Sequence, residues 1–435
     1  MTPHPAISEL PVQSDSDGKV SLPPKRVSTK RVWVVSELYY PELTSTGYFL
    51  TGLAEGLAEI YNVGVLCGQP TYWARGVRAP SREMRNGVDI HRCPASTLDK
   101  NRAAFKLINL VTVSLSTFFS ALVRFRRGDV VVAVTNPPLL PYLVFIASRV
   151  KGARFVLLVH DVYPEILARL GMLKTRSVFF RALDQVSRWL YNSTDRVVVI
   201  GRDMQRLIAQ KMSSANGSVS VAPNWANLDD ISPKSRTENS LLASLGLTDR
   251  FVVQFWGNMG RPHCIEDLIE AADLLMPDPE IHFLIIGWGT KKSWVVAEKA
   301  ARKLDNITIL DPLSREETCN VQNACDVVLN TLSSGMSGIS VPSRTYNALA
   351  AAKPLVVVCD DDSEIAAVVK EENIGWVVPP GHPDQLVSAL REAHGNRQLL
   401  REMGERARRA VETKYTRSHI LERYKILIDG LQSSS

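Results

Sequence analysis

The chain has 435 residues, 45% hydrophobic and 22% charged, which is too long for one ordinary core and too apolar for a largely disordered protein, so two domains are expected. Six cysteines, at positions 67, 93, 264, 319, 325 and 359, form no C-x-x-C pair and no zinc-finger spacing with His, which argues against a disulfide scaffold or a structural metal and for a reducing compartment. The net charge of +6 is uneven: residues 1–230 carry 28 Lys+Arg against 18 Asp+Glu, so the first half is expected to meet an anionic partner.

Met1–Lys30 is rich in Pro, Ser and charge, lacks a signal-peptide core, and reads as a disordered tail. From Arg31 strands and helices alternate. Arg31–Leu38 is a β-branched run, Tyr48–Ile60 has helical apolar spacing, and short strands follow at Val63–Cys67 and Val88–His91. Arg75–Arg127 holds eleven basic residues against Glu83, Asp89 and Asp99, without a finger, RNP or helix-turn-helix pattern, so a membrane surface or lipid head group is expected rather than nucleic acid. Inside that stretch Leu107–Val123 is uncharged but carries Asn109, two Thr and three Ser; it reads as a buried or half-buried helix rather than a membrane span, with an interfacial position beside Arg124, Arg126 and Arg127 as the functional variant.

Asp129–Thr135, Arg154–His160, Arg196–Ile200 and Ser218–Ala222 are near-continuous apolar runs, as parallel strands covered on both faces should be. After the polar stretch Asn227–Ser240 the pattern restarts, with strands at Phe251–Trp256, His282–Ile286, Ile307–Leu310, Asp326–Leu332, Pro354–Cys359 and Gly375–Val378. Helices separate them, one starting at a Ser314/Glu317 capping box. Two helices, Arg397–Thr413 and Arg417–Leu431, end the chain, the last expected to lean back on the first domain. The predicted class is α/β, with two Rossmann-like doubly wound domains facing a central cleft: 31–226, then 227–410, then a returning helix over 411–435.

Ligands of such sheets sit beyond the carboxyl ends of strands, so the loops there are the candidate sites. Ser36–Gly47 offers either a simple helix cap through Thr44–Thr46 or a close backbone approach at Gly47. His160-Asp161 ends a buried strand and is placed for the cleft rather than the core. Gly257–Cys264, with Asn258, Gly260, Arg261 and His263, reads as a phosphate cradle. Gly287 and Gly289 mark another strand-to-helix turn, which a tight turn with solvated lysines explains equally well. Ser333–Ser343, ending at Pro342 before a helix, suits an anion held by Ser343 and Arg344. Asp360-Asp361-Asp362 contains D-x-D, and a run of helix-capping acids is preferred there to a metal site.

Tyr40-Pro41-Glu42, His160-Asp161-Val162-Tyr163-Pro164-Glu165, Pro223-Asn224-Trp225, Gly257–Arg261, Ile286–Gly289 and Val341–Pro354 together resemble the retaining glycosyltransferases of family 4, GT-B in fold, in the branch that builds bacterial exopolysaccharide, colanic-acid and O-antigen units. The resemblance covers about 400 residues in order. It implies transfer from a nucleotide-sugar donor to a hydroxyl acceptor with retention, the acceptor being a polyprenyl-diphosphate-linked or other saccharide. It implies metal-independent action without a cofactor, in the cytoplasm or peripherally on the inner face of the plasma membrane. It places Gly47, His160 and Arg261 at the reacting centre. Asn258, Gly260, His263, Gly287, Gly289, Ser340, Ser343, Arg344 and Asn347 fall around the donor. Where many members have Arg and Lys, this chain reads Asn258 and His263, and the E-x7-E pair reads Ile339 and Asn347. A non-catalytic sugar-nucleotide-binding subunit and a nucleotide-sugar epimerase are the alternatives.

Overall fold

The computed structural model describes residues 31–42, 44–71, 78–98, 102–213 and 219–433; the expected tail, and Arg75 and Lys100 of the basic stretch, lie outside them. The first sheet contains β1 (Arg31–Val35), β2 (Asn62–Cys67), β3 (Arg82–Arg85), β4 (Val88–Arg92), β5 (Val130–Val134), β6 (Arg154–Val159), β7 (Arg196–Val199) and β8 (Val219–Val221). Its order is β3-β4-β2-β1-β5-β6-β7-β8. Its helices are α1 (Ser45–Leu57), α2 (Ala103–Arg124), α3 (Leu140–Lys151), α4 (Glu165–Arg169), α5 (Val178–Ser193) and α6 (Arg202–Ala209). Val130–Val134 is buried throughout, because helices cover both faces of a parallel strand. The β3–β4 pair is antiparallel and was not expected: Arg82–Arg85 has no apolar run and alternates on an exposed edge.

The second sheet runs β11-β10-β9-β12-β13-β14, where β9 is Phe251–Asn258, β10 Ile281–Trp288, β11 Ile307–Leu310, β12 Val327–Thr331, β13 Leu355–Val358 and β14 Gly375–Val378. Its helices are α7 (Ser240–Ser244), α8 (Ile265–Leu274), α9 (Lys292–Arg302), α10 (Thr318–Asn323), α11 (Arg344–Ala350), α12 (Glu364–Glu372), α13 (Pro383–Gly395) and α14 (Arg397–Lys414), before α15 (Arg417–Ser433). The expected single helix from Ser314 is instead a short 3-10 turn, Arg315–Glu317, followed by α10. One half of the expected capping box is present, Ser314 N–H donating to the Glu317 carboxylate at 3.2 Å, but Ser314 Oγ turns to the same carboxylate at 3.2 Å and the Glu317 N–H bonds the Ser314 carbonyl instead of the hydroxyl.

Both sheets reverse winding direction next to their first strand: β1 lies between β2 and β5, and β9 between β10 and β12. Each switch point opens a crevice at the strand carboxyl ends. Several contacts join the two sheets, the most buried around Asp203 and Glu364. The Asp203 carboxylate accepts from the Gly338 and Glu364 N–H groups, both at 2.9 Å, while Arg202 Nε donates to Glu364 Oε2 at 3.0 Å. The last helix returns to the first sheet, where Tyr61 Oη donates to Asp429 at 2.6 Å and Arg417 donates to the Gly52 carbonyl at 2.8 Å.

Candidate active site

The two crevices face each other across one cavity of about 460 Å³, a volume typical of a small-molecule site. Thr44, Ser45 and Tyr48 line it from the loop after β1 and the start of α1, and Trp256, Gly257 and Asn258 from the end of β9. Trp288 comes from the end of β10, and Ser340–Arg344 with Asn347 from the loop after β12 and α11. The walls touch directly. Ser45 Oγ and Ser343 Oγ are 2.8 Å apart, and Val162 N–H donates to the Ile339 carbonyl at 3.1 Å beside an Asp161–Ser340 bridge.

Arg344 carries the positive charge of this cavity. Its Nη1 donates to the Trp256 carbonyl at 2.9 Å, its Nη2 lies 2.9 Å from His263 Nε2, and its guanidinium stacks 4.6 Å from the Phe255 ring centroid. No carboxylate pairs with it among the described residues. Burial lowers it to about 10, so it stays protonated at neutral pH. His263 is held neutral, pushed down to about 3 by burial and then by Arg344 itself. Its Nδ1–H donates to the Thr331 carbonyl at 2.5 Å, leaving the Nε2 lone pair for Arg344. A half-buried cation held by a carbonyl and a neutral ring keeps its charge available to an incoming anion.

The remaining expected residues distribute around this centre. Asn258 is exposed at the rim, and Gly260 is buried behind it. Gly257 has φ +127° and would place a Cβ 3.2 Å from Arg344 Nη1, so a side chain there would press on the guanidinium. Gly287 is buried in β10 beside Gly257, and Gly289 sits against Asn258 and Met259. Asn347 lines the cavity one turn into α11.

Three expectations are redrawn. Gly47 is buried inside α1 with its N–H bonded to Thr44 Oγ1 at 3.2 Å, so Ser45 and Tyr48 face the cavity in its place. Arg261 is exposed and does not line the cavity; the turn carries it outward while Arg344 fills the interior. His160, lowered to about 4 by burial, lines a small neighbouring cavity with Phe49, Leu53 and Trp225. Its backbone N–H, like that of Asp161, is fixed by Thr135 Oγ1. The acidic run also differs from expectation: Ser363 caps α12, whereas Asp360 accepts from Gly335 N–H at 2.7 Å and pins the loop after β12. Trp256 and Trp288 were missed; aromatic residues ending strands of a doubly wound sheet were the available signal.

Burial pushes the Asp161 carboxyl up to about 6, partly offset by the Ser340 hydroxyl. A raised folded pKa contributes stability that is complete below the unfolded value, about 4, and is lost as pH rises through about 6. Asp161→Asn is therefore expected to melt above the parent at about pH 7.5, with the difference closing at about pH 4. A difference equal at both pH values would remove this assignment.

The chain matches the family described as glycosyl transferases group 1 over residues 240–410, and the glycosyl transferase 4-like domain over residues 46–225. It is 31% identical over 409 residues to the probable glycosyltransferase WbjE of Pseudomonas aeruginosa, covering 93% of this chain and 99% of that protein. It is 25% identical over 368 residues, 82% of this chain and 90% of the relative, to the putative colanic acid biosynthesis glycosyl transferase WcaI of Escherichia coli K12. Among solved structures, sucrose-phosphate synthase from Thermosynechococcus elongatus superposes with a TM-score of 0.76 at 16% identity, over 93% of this chain and all of that one. HepE of Anabaena, in complex with UDP and glucose, gives 0.70 at 13% identity, over 92% and 100%.

Proposed function

This chain belongs to the group 1 glycosyltransferases, family 4, on the GT-B fold, and from that premise we propose that it transfers a sugar with retention from a nucleoside-diphosphate donor to a lipid-linked saccharide at the inner face of the plasma membrane. Family membership makes it a nucleotide-sugar-dependent glycosyltransferase; a role in cell-surface polysaccharide synthesis, which the colanic acid relative supports, is our reading, as are donor base, acceptor and location. The observation that carries it is the half-buried Arg344, with no carboxylate partner among the described residues, at the meeting point of two crevices.

In this reading the donor diphosphate docks on Arg344, with the Ser343 and Ser340 hydroxyls and the amides of the Ser340–Arg344 loop completing its shell. Negative charge grows on the leaving diphosphate as the sugar gains oxocarbenium character, and a preorganised guanidinium stabilises that charge more than the ground state. Trp256 and Trp288 give the nucleoside an apolar wall, and Asn347 supplies an amide donor and acceptor in reach of a ribose or sugar hydroxyl. His160, in the neighbouring small cavity and neutral, takes no part as a strong acid. Diphosphate charge is balanced by protein groups in this scheme.

The test is a thermal-shift and calorimetry screen of the purified protein against UDP, GDP and ADP, with and without EDTA. One nucleoside diphosphate is expected to raise the melting temperature by about 3–5 °C at a hundredfold excess over its Kd, unchanged by EDTA. No shift with any of them would sink the donor assignment, and a shift abolished by EDTA would sink the metal-free charge balance. Donor turnover without any added acceptor separates an epimerase, and binding without turnover in the presence of membranes separates a non-catalytic subunit.

A further inference from the structure

α2 is built inside out. The residues it turns toward the protein include Asn109, Ser114 and Thr117, all nearly fully buried, whereas Leu107, Leu115, Phe119 and Val123 face outward, Phe119 at 62% and Val123 at 80% exposure. Water-facing helices place these classes the other way round. Ala104–Arg124 is also long and apolar enough to cross a bilayer by length and composition, yet it packs along α3 as part of the first sheet's helical layer. The exposed apolar surface continues across that layer: α3 buries Leu140, Val144 and Phe145 in the ordinary way yet leaves Ile146 and Val150 exposed. α3 buries Ser148, and α5 buries Ser187, whose Oγ is 3.0 Å from Tyr142 Oη, while Phe179 of α5 is 77% exposed. Trp189 of α5 packs edge-on against Phe145 of α3, with ring centroids 5.3 Å apart, so the three helices form one continuous face.

The charge around this face has one sign. Residues 102–193 contain thirteen Lys+Arg and four acids. All four acids are already engaged: Asp129 is buried under β1, Asp161 bonds Ser340, Glu165 pairs with Lys211, and Asp184 of α5 pairs with Lys211 and Arg188. Lys174, Arg176 and Arg181 next to the apolar stripe of α5 are exposed and make no ion pair among the described residues. A second copy of the chain would set cation against cation on this surface. An anionic bilayer answers both properties at once, taking the apolar side chains below its head groups and the cations at their level.

We propose that the α2–α3–α5 face docks the enzyme on an anionic membrane by interfacial insertion, without spanning it. This deepens the reading that the acceptor is lipid-borne, and it can fail independently of that reading, because nucleotide binding and vesicle binding are separate measurements.

The experiment is co-sedimentation of the full chain with vesicles of phosphatidylcholine alone and with about one-third phosphatidylglycerol, using the parent and a Phe119→Glu/Val123→Glu/Phe179→Glu variant. All three side chains are exposed, so folding, checked by melting temperature and nucleoside diphosphate affinity, should be unchanged. The parent is expected to bind the anionic vesicles and to be washed off in part at about 0.5 M salt. The variant should partition at least about tenfold less. A parent that stays in the supernatant, or a variant that binds as well as the parent, overturns the proposal. So does resistance to carbonate extraction, which would mean a spanning α2, or a parent dimer that the substitutions dissociate, which would assign the face to a second copy. Intact nucleotide binding with lost vesicle affinity leaves the donor reading standing, whereas vesicle binding without nucleotide affinity would count against the donor reading alone.

Discussion

Arg344→Ala is expected to lower turnover of the nucleotide sugar by about 10²–10³-fold, the scale seen when one preorganised donor to a developing anion is removed. The guanidinium is held on three sides, by the Trp256 carbonyl, the His263 ring and the Phe255 face, and its fourth side is the cavity. Its charge survives burial because a value near 10 is still well above neutral pH. Arg344→Lys keeps the charge but cannot bond Trp256 and His263 together through a planar fork, so it should recover only part of the loss. Because the substitution also strips partners from two buried acceptors, melting temperature has to be measured beside kcat/KM and the Kd of the free nucleoside diphosphate. A contribution specific to the transition state lowers kcat more than it weakens the nucleotide, whereas simple misfolding lowers melting and binding together. Arg261→Ala, outside the cavity, is expected to change turnover by less than about threefold. The reverse ranking of the two arginines would return the phosphate role to the turn after β9.

The sheet architecture was legible because parallel strands covered on both faces leave unbroken apolar runs such as Val130–Val134 and Leu355–Val358, and these mark strand positions without reference to any neighbour. The loops that carry the site were legible for the related reason that small, permissive residues cluster where strands end. Individual side chains were not. Arg261 and Arg344 look alike in sequence as cations beside glycine- or serine-rich turns, and only the packing of His263 and Phe255 decides which one points inward. Gly47 and Ser45 differ by two positions on α1, enough to turn one inward behind Thr44 and the other across to Ser343. The inversion of α2 was half visible: Asn109, Ser114 and Thr117 in an apolar helix argued against a span, but their burial, and with it the exposure of Phe119 and Val123, depends on α3 packing beside them. Asp360 shows the same limit, since a carboxylate ahead of a helix reads as its cap until a loop distant in sequence claims it.

Gly289→Ala is expected to weaken nucleoside diphosphate binding at least about tenfold and to destabilise the fold by about 2–4 kcal/mol. Gly289 adopts φ +138°, and an added Cβ would lie 2.5 Å from the Met259 carbonyl carbon and oxygen and from Asn258 Oδ1. Two of those three atoms are backbone, so no rotamer change relieves the clash. Nor can the Met259 segment retreat: its side chain is fully buried, its N–H is bonded to the Trp288 carbonyl at 2.5 Å, and its carbonyl accepts from Lys291 N–H at 3.0 Å. Any adjustment must therefore travel along Asn258 to Gly257 and into the guanidinium that Gly257 touches. That route makes a second outcome specific: on an Arg344→Ala background the alanine at 289 should cost stability as before but little further nucleotide affinity, because both changes act on one phosphate contact. Fully additive losses in affinity would mean that the two turns hold separate parts of the ligand and that Arg344 is not the point at which they converge.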